Sequence, residues 1–424
     1  MTKLGAVITR RGDALAGPDV SRASSETAAR ARRGVLIVAA NLPPLYTGGG
    51  QQAVTLAQQF RAMGRDVLFV SRRHGSLPRH GEIEGIEVHR VEYETEGRVG
   101  FFRSLAQIAR LSRCFVALRH RYTVVLFFNP QGSFPNAWPA ILLLRALRKK
   151  TIARMTLIGS SDPAALRQKR LGWLRLLPYR LHNRVVSIST ALSKSYRTAL
   201  RNDGRLVYIA NGVDIRRFHP LPDSDRQRER LALGLDPDLR YVLFVGRVSF
   251  RKGIDTLVNA WSEVIHARSD ARLLLVGPTV DEFRAAARDT FAATLSEEIE
   301  RAGLGPYITW VGRTATPERY LQVADVFVFP SRREGCPNAL LEAMACGIPI
   351  VTTRIPDITE DLVEPDREAL VTPQEPRALA EGIIAALASP DAARERAERA
   401  LARVRREFAI ATTARKYLDV VDSL

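Results

Sequence analysis

Only three cysteines occur in 424 residues, Cys114, Cys336 and Cys346, with no spacing that suits a disulfide framework or a cysteine-ligated metal. A reducing, cytoplasmic setting is the expectation that follows. Long apolar runs are missing too. The longest, from Ala137 to Leu144, falls far short of the roughly 20 residues that a spanning helix needs. Residues 1–33 lack the continuous apolar stretch of a secretory leader; polar, Ala/Arg-rich and broken by Gly and Pro, they read as a disordered tail. Nor does an Asp-x-Asp pair follow a predicted strand, where a cation-assisted phosphate site would need one. Asp214, Asp255 and Asp325 read instead as helix-cap or turn residues.

Acidic residues are also in deficit: 63 Lys and Arg face 45 Asp and Glu, a net charge of +18. The segment 167–180, Arg-Gln-Lys-Arg-Leu-Gly-Trp-Leu-Arg-Leu-Leu-Pro-Tyr-Arg, interleaves bases with Leu, Trp and Tyr. That pattern suits peripheral contact with an anionic membrane, where apolar side chains enter the interface and cations meet head groups. No nucleic-acid motif accompanies the charge, so a nucleic-acid partner is disfavoured.

What is present is a β/α alternation. Apolar runs predict strands at 35–40, 66–70, 86–91, 123–128, 151–155, 185–189 and 206–209, then at 241–245, 272–276, 308–311, 326–329, 349–352 and 369–371. Amphipathic stretches between them predict helices, among them 51–63, 101–119, 136–148, 190–202, 281–302 and 337–346. Continuous apolar strands separated by helices imply parallel sheets covered on both faces. At this length, two Rossmann-like units in series are expected, with ligands at the carboxyl ends of the strands.

The motifs fall just after predicted strands. Glu334-Gly-Cys-Pro-Asn-Ala-Leu-Leu-Glu342 sets two carboxylates around a turn that enters an apolar helix. Free N–H groups at such a helix start suit an anion, and carboxylates suit sugar hydroxyls. Upstream, Gly246-Arg247-x4-Lys252-Gly253 puts two cations at a strand-to-helix turn, where they can meet phosphate oxygens. Asn211-Gly-Val-Asp214 lies between the halves, and Asn41-Leu-Pro-Pro-Leu-Tyr-Thr-Gly48-Gly49-Gly50 joins the first strand to the first helix. Together these motifs resemble the E-x7-E, GR-x4-KG and NGVD elements of the retaining glycosyltransferases of family 4, over residues 34 to about 420.

That resemblance implies a GT-B fold, two Rossmann-like doubly wound domains facing a central cleft. Its expected division is an acceptor-side domain at 34–210, a nucleotide-sugar-binding domain at 211–407, and a crossover helix, 408–424, returning to the first. It implies a nucleoside-diphosphate-sugar donor, a glycan or lipid-linked acceptor, retention by same-face attack, and no metal or other cofactor. Arg247, Lys252 and Glu334 are then the catalytic candidates, and Glu342 binds the ribose. Gly49, Gly50, Gly246, Gly335, Cys336, Pro337, Asn338, Ala339 and Leu340 complete the expected donor site. Two departures stand out. The stretch Phe128-Asn129-Pro130-Gln131-Gly132 has no histidine where many members carry one, and Ile158-Gly159 replaces a His-Gly pair. Asn129 and Ser160 are the acceptor-side candidates, and His182 and His219 read as surface or interface residues. The departures keep open a non-catalytic nucleotide-sugar-binding protein; a phosphorylase or epimerase of the same fold explains the motif pair less well.

Overall fold

The structure, a computed structural model, describes residues 34–45, 47–93, 101–130, 134, 137–159, 161–201, 204–277 and 290–424. Eight strands make the first sheet: β1 (Val35–Val38), β2 (Val67–Arg72), β3 (His80–Ile83), β4 (Ile86–Val91), β5 (Val124–Phe128), β6 (Lys150–Arg154), β7 (Arg184–Ser187) and β8 (Leu206–Tyr208). Their order is β3-β4-β2-β1-β5-β6-β7-β8. Every pairing is parallel except β3 with β4. The second sheet holds β9 (Arg240–Val245), β10 (Ala271–Val276), β11 (Ile308–Gly312), β12 (Val326–Phe329), β13 (Ile350–Thr353) and β14 (Leu370–Thr372). It is wholly parallel in the order β11-β10-β9-β12-β13-β14.

Sequence and sheet agree for a simple reason. Strands such as Val-Leu-Ile-Val in β1 and Val-Val-Leu-Phe-Phe in β5 are buried along their whole length, as helices on both faces require. β3 was not expected. It is short, largely polar and partly exposed, and it pairs with β4 through a two-residue turn, Glu84-Gly85, with φ of 50° and 70°. Positive φ at both turn positions matches the twist of a tight hairpin. Three short helices, Pro163–Arg167, Gly172–Arg175 and Leu177–Leu181, fill a stretch for which no periodicity was evident. The first helix begins at Gly48 rather than near 51, because the Thr47 hydroxyl caps it by accepting from the Gly50 amide (3.1 Å). Of the helix expected at 281–302, the structure describes Thr290–Arg301; the remainder lies outside the described residues.

The last helix, Ile410–Asp422, packs on Gly48–Ala62 beside the first sheet. Phe60 meets Tyr417 edge-on at 6.5 Å, and Arg65 binds Asp422 at 2.6 Å. A bridge between Val213 and Ala409 lays the outgoing and returning chains side by side.

In each sheet the connections reverse direction at one point, between β1 and β5 and between β9 and β12. Open α/β sheets form a ligand crevice at such a switch point, outside the carboxyl ends of the strands. The loops after β9 and β12 carry the cations and the carboxylates.

Candidate active site

Lys252 ends a short turn, Phe250–Lys252, after β9, and Gly253 starts the next helix with φ 68°. A side chain at 253 would stand 1.9 Å from the Pro330 carbonyl, so glycine is required for the β9 and β12 loops to touch. The Lys252 ammonium then lies 2.7 Å from Glu334 and 5.2 Å from the Phe329 ring centre. Glu334 is only 7% exposed and also receives the Arg251 guanidinium (2.8 Å) and the Ser331 hydroxyl (2.7 Å). Burial alone would push this carboxyl's pKa up, but Lys252, Arg251 and Ser331 outweigh it and hold Glu334 ionised, below the ordinary carboxylate range. Arg251, which is not among the expected site residues, is thus part of this cluster. Arg247 is exposed and, among the described residues, makes no ion pair.

Glu342 lies in the second turn of the Asn338–Cys346 helix. It is partly buried, and no described residue donates it a hydrogen bond. Burial pushes its carboxyl up to about 7; Arg217 and Lys252 act against that and Glu318 adds to it. A carboxylate desolvated without donors is a costly arrangement, which two ligand hydroxyls would relieve.

The start of this helix faces the first sheet unit. A Cβ on Gly335 would come 1.8 Å from the Thr156 carbonyl, so the 333–335 turn rests directly on the loop after β6. Arg333 also donates to the Gly159 carbonyl (3.3 Å). Pro337 holds the cap position, leaving the first amides of the helix without intrahelical partners. Asn338 uses its side chain to bridge the halves: its amide nitrogen donates to Gly48 (3.0 Å), and its amide oxygen accepts from Asn211 (2.8 Å). Ala339 is half-buried, while Leu340 and Cys336 send their side chains into the core. Those two can offer a ligand backbone groups only, and burial pushes the Cys336 thiol up to about 12.

Several expectations change. Gly50 does not open space for a ligand: a Cβ there would sit 2.1 Å from the Asn41 carbonyl, so its bareness serves the strand-to-helix turn, whereas Gly49 borders open space. Gly246 packs against the Phe244 ring and binds the Val276 carbonyl through its amide (2.9 Å). Asp255 stands in the first turn of the Ile254–Ala267 helix and Asp325 at the bend before β12, as turn residues would, but arginines hold both carboxylates. Asp255 takes both arms of Arg332 (2.6 and 2.7 Å), and Asp325 is shared by Arg226 and Arg230 (3.2 and 2.7 Å). His182 is buried rather than superficial. Its ring packs on Phe127 at 5.3 Å, and burial pushes it down to about 3, so it stays neutral. On the acceptor side, Asn129 adopts φ 52° at the end of β5 and accepts from the Ser161 hydroxyl (3.2 Å); Ser160 lies outside the described residues.

Sequence reading missed a buried link beneath these loops. Arg154, at the end of β6, stacks on Phe128 at 4.5 Å and donates to the Asn211 side chain. Asn211 in turn donates to the Cys336 carbonyl (2.9 Å) and to Asn338. The three side chains tie β6, the inter-sheet connection and the helix start into one network. Among the described residues, no three His, Cys, Asp or Glu side chains converge as metal ligands, and no helix is long and apolar enough to cross a membrane.

Comparison with known proteins returns two family models, Glycosyltransferase Family 4 over residues 46–217 and Glycosyl transferases group 1 over 240–389. The chain is 28% identical over 325 residues to the lipopolysaccharide core biosynthesis mannosyltransferase LpsB of Rhizobium meliloti, covering 74% of this chain and 87% of that one. It is 30% identical over 185 residues to the D-inositol 3-phosphate glycosyltransferase of Segniliparus rotundus, covering 43% and 39%. Among solved structures, Anabaena HepE in complex with UDP and glucose matches with a TM-score of 0.74 at 19% identity, over 92% of this chain and 100% of that one.

Proposed function

Because the chain belongs to glycosyltransferase family 4, a GT-B enzyme family, we propose that it moves a sugar, with retention and without a metal, from a nucleoside-diphosphate donor to a hydroxyl of a lipid-linked, lipopolysaccharide or polysaccharide acceptor. One observation carries the reading. Glu342, a carboxylate to which no described residue donates, stands in the helix that starts at the switch point, where the Lys252 charge acts on it.

In this reading the ribose hydroxyls donate to Glu342. The diphosphate lies at the free amides of Asn338, Ala339 and Leu340, facing Lys252 and Arg247. As the glycosidic bond breaks, negative charge grows on the leaving phosphate, and these preorganised donors stabilise it. Glu334 already holds Arg251, Lys252 and Ser331, so it orients the cations and borders the donor sugar; it is not free to act as a nucleophile. That favours same-face attack, with the leaving phosphate accepting the acceptor proton, over the two-carboxylate route of retaining glycosidases. Contact of the 333–335 turn with the 156–159 loop brings the acceptor side against the donor sugar.

Leu171 and Trp173, 56% and 72% exposed amid Arg167, Lys169, Arg170 and Arg175, favour a peripheral position on the cytoplasmic face of an anionic membrane. The LpsB likeness makes mannosyl transfer to a lipopolysaccharide core the first pair to assay. The test is product formation in EDTA from a panel of sugar nucleotides, with the anomeric configuration read by NMR. A retained α-linkage supports the proposal. An inverted product, or a product only when metal is restored, contradicts it; donor binding without turnover on any acceptor points to the non-catalytic alternative.

A further inference from the structure

The outer edge of the first sheet carries a second concentration of positive charge that the donor cleft does not use. The β3–β4 hairpin and the Phe101–Ala117 helix border an open cavity of about 510 Å³. Arg79, His80, His89, Arg90, Arg110 and Arg113 line it, and among the described residues Glu92 is the one acidic lining residue. Glu92 is already shared: Arg73 lies 3.0 Å from it, Arg79 3.5 Å and Arg110 3.6 Å. Arg90 is directed to the Pro78 carbonyl (3.2 Å), and among the described residues neither it nor Arg113 has a carboxylate within ion-pair range. Among the described residues, four guanidiniums around one carboxylate leave the lining net positive.

Guanidinium groups match phosphate oxygens in pairs, and a cavity that focuses one sign of charge attracts the opposite. We infer that this edge cavity is a second anion site, separate from the donor cleft, that takes a phosphate-bearing group. None of its lining residues belongs to the candidate active site. In the sheet order, β3 stands three strands from β1, about 14 Å at the usual strand spacing. The same helix exposes Phe102 and Leu105 one to two turns before Arg110. Two carriers present the same phosphate oxygens, a phosphorylated glycan in solution and a phospholipid headgroup.

The site goes beyond the donor proposal and is tested apart from it. Inorganic pyrophosphate is titrated by calorimetry at fixed ionic strength into the wild-type chain, Lys252→Ala, and Arg110→Ala/Arg113→Ala. Arg79→Ala, at a well-exposed position, serves as a second edge variant in case the double substitution disturbs the helix. The edge site predicts binding that survives Lys252→Ala and weakens at least tenfold in the double variant and severalfold in Arg79→Ala. Pyrophosphate binding lost in Lys252→Ala and unchanged in both edge variants overturns the inference, whatever happens in the cleft. The carrier is read by sedimentation with phosphatidylglycerol and phosphatidylcholine vesicles. Selective loss of phosphatidylglycerol binding in the edge variants assigns a headgroup. Unchanged sedimentation alongside lost pyrophosphate binding assigns a phosphorylated glycan.

Discussion

Replacing Glu342 by Gln is expected to stabilise the ligand-free protein at alkaline pH while weakening its hold on nucleotide. In the folded chain burial raises the carboxyl from its ordinary 4.5 to about 7. The folded state therefore keeps this proton over a range in which the unfolded state has lost it. The stability tied to that proton is complete below pH 4.5 and drains away as pH rises toward 7. At about 1.36 kcal/mol per pH unit, the gap caps the loss near 3 kcal/mol, of which about 2.5 kcal/mol falls between pH 5 and pH 8. Gln carries no such linkage, so the variant escapes the loss. The assay is thermal unfolding of both proteins at pH 5 and pH 8 without nucleotide. With about 2.1 cal/mol/K of unfolding entropy per residue, the variant should gain roughly 3 °C on the wild type between the two pH values if the whole chain unfolds together. If the second sheet unit unfolds alone, the gain should be roughly twice that. Parallel pH profiles for the two proteins would refute the desolvated-carboxyl reasoning. In the same variant nucleoside diphosphate should bind about 10- to 100-fold more weakly, because hydroxyl bonds to a charged acceptor are worth about 1.5–3 kcal/mol.

Three other substitutions probe separate parts of the account. Lys252→Ala should lower transfer by about 100- to 1,000-fold, the scale of one lost preorganised donor, with little change in acceptor KM in steady-state assays. Glu334→Ala leaves Arg251 and Lys252 beside a vacated partly buried partner site and should cost about 3 kcal/mol or more of stability by chemical unfolding. Asn211→Ala cuts the link from Arg154 to the helix start; it should cost about 1–3 kcal/mol and enlarge the radius of gyration seen by X-ray scattering.

Much of this architecture was legible in the sequence because its parallel strands are buried on both faces and so read as unbroken apolar runs. β3 escaped for the opposite reason: at a sheet edge, His-Gly-Glu-Ile needs no apolar continuity, and its partner is set by a two-residue turn. The cations and carboxylates of the candidate site were legible as motif residues because each lies within a short motif. Their pairing was not. That Lys252 and Arg251 both converge on Glu334 depends on two loops more than 80 residues apart, brought together where Gly253 meets Pro330. Arg154 and Asn211 were hidden in the same way. One looked like the end of a strand and the other like part of a junction motif, and only folding sets them 57 positions apart in sequence but in hydrogen-bond contact. Gly50 shows the converse error, since a glycine-rich turn beside a cleft invites a ligand role that its contact with Asn41 does not support.

The central claim is a metal-free nucleoside-diphosphate site built from Lys252, Glu342 and the helix start at Asn338. Calorimetric titration in EDTA with UDP, GDP, ADP and TDP, on the wild type, Lys252→Ala and Glu342→Ala, tests it most directly. The account predicts that one diphosphate binds the wild type and that each variant weakens it at least tenfold. Absence of binding by all four to the folded protein, or equal affinity in all three chains, would contradict it.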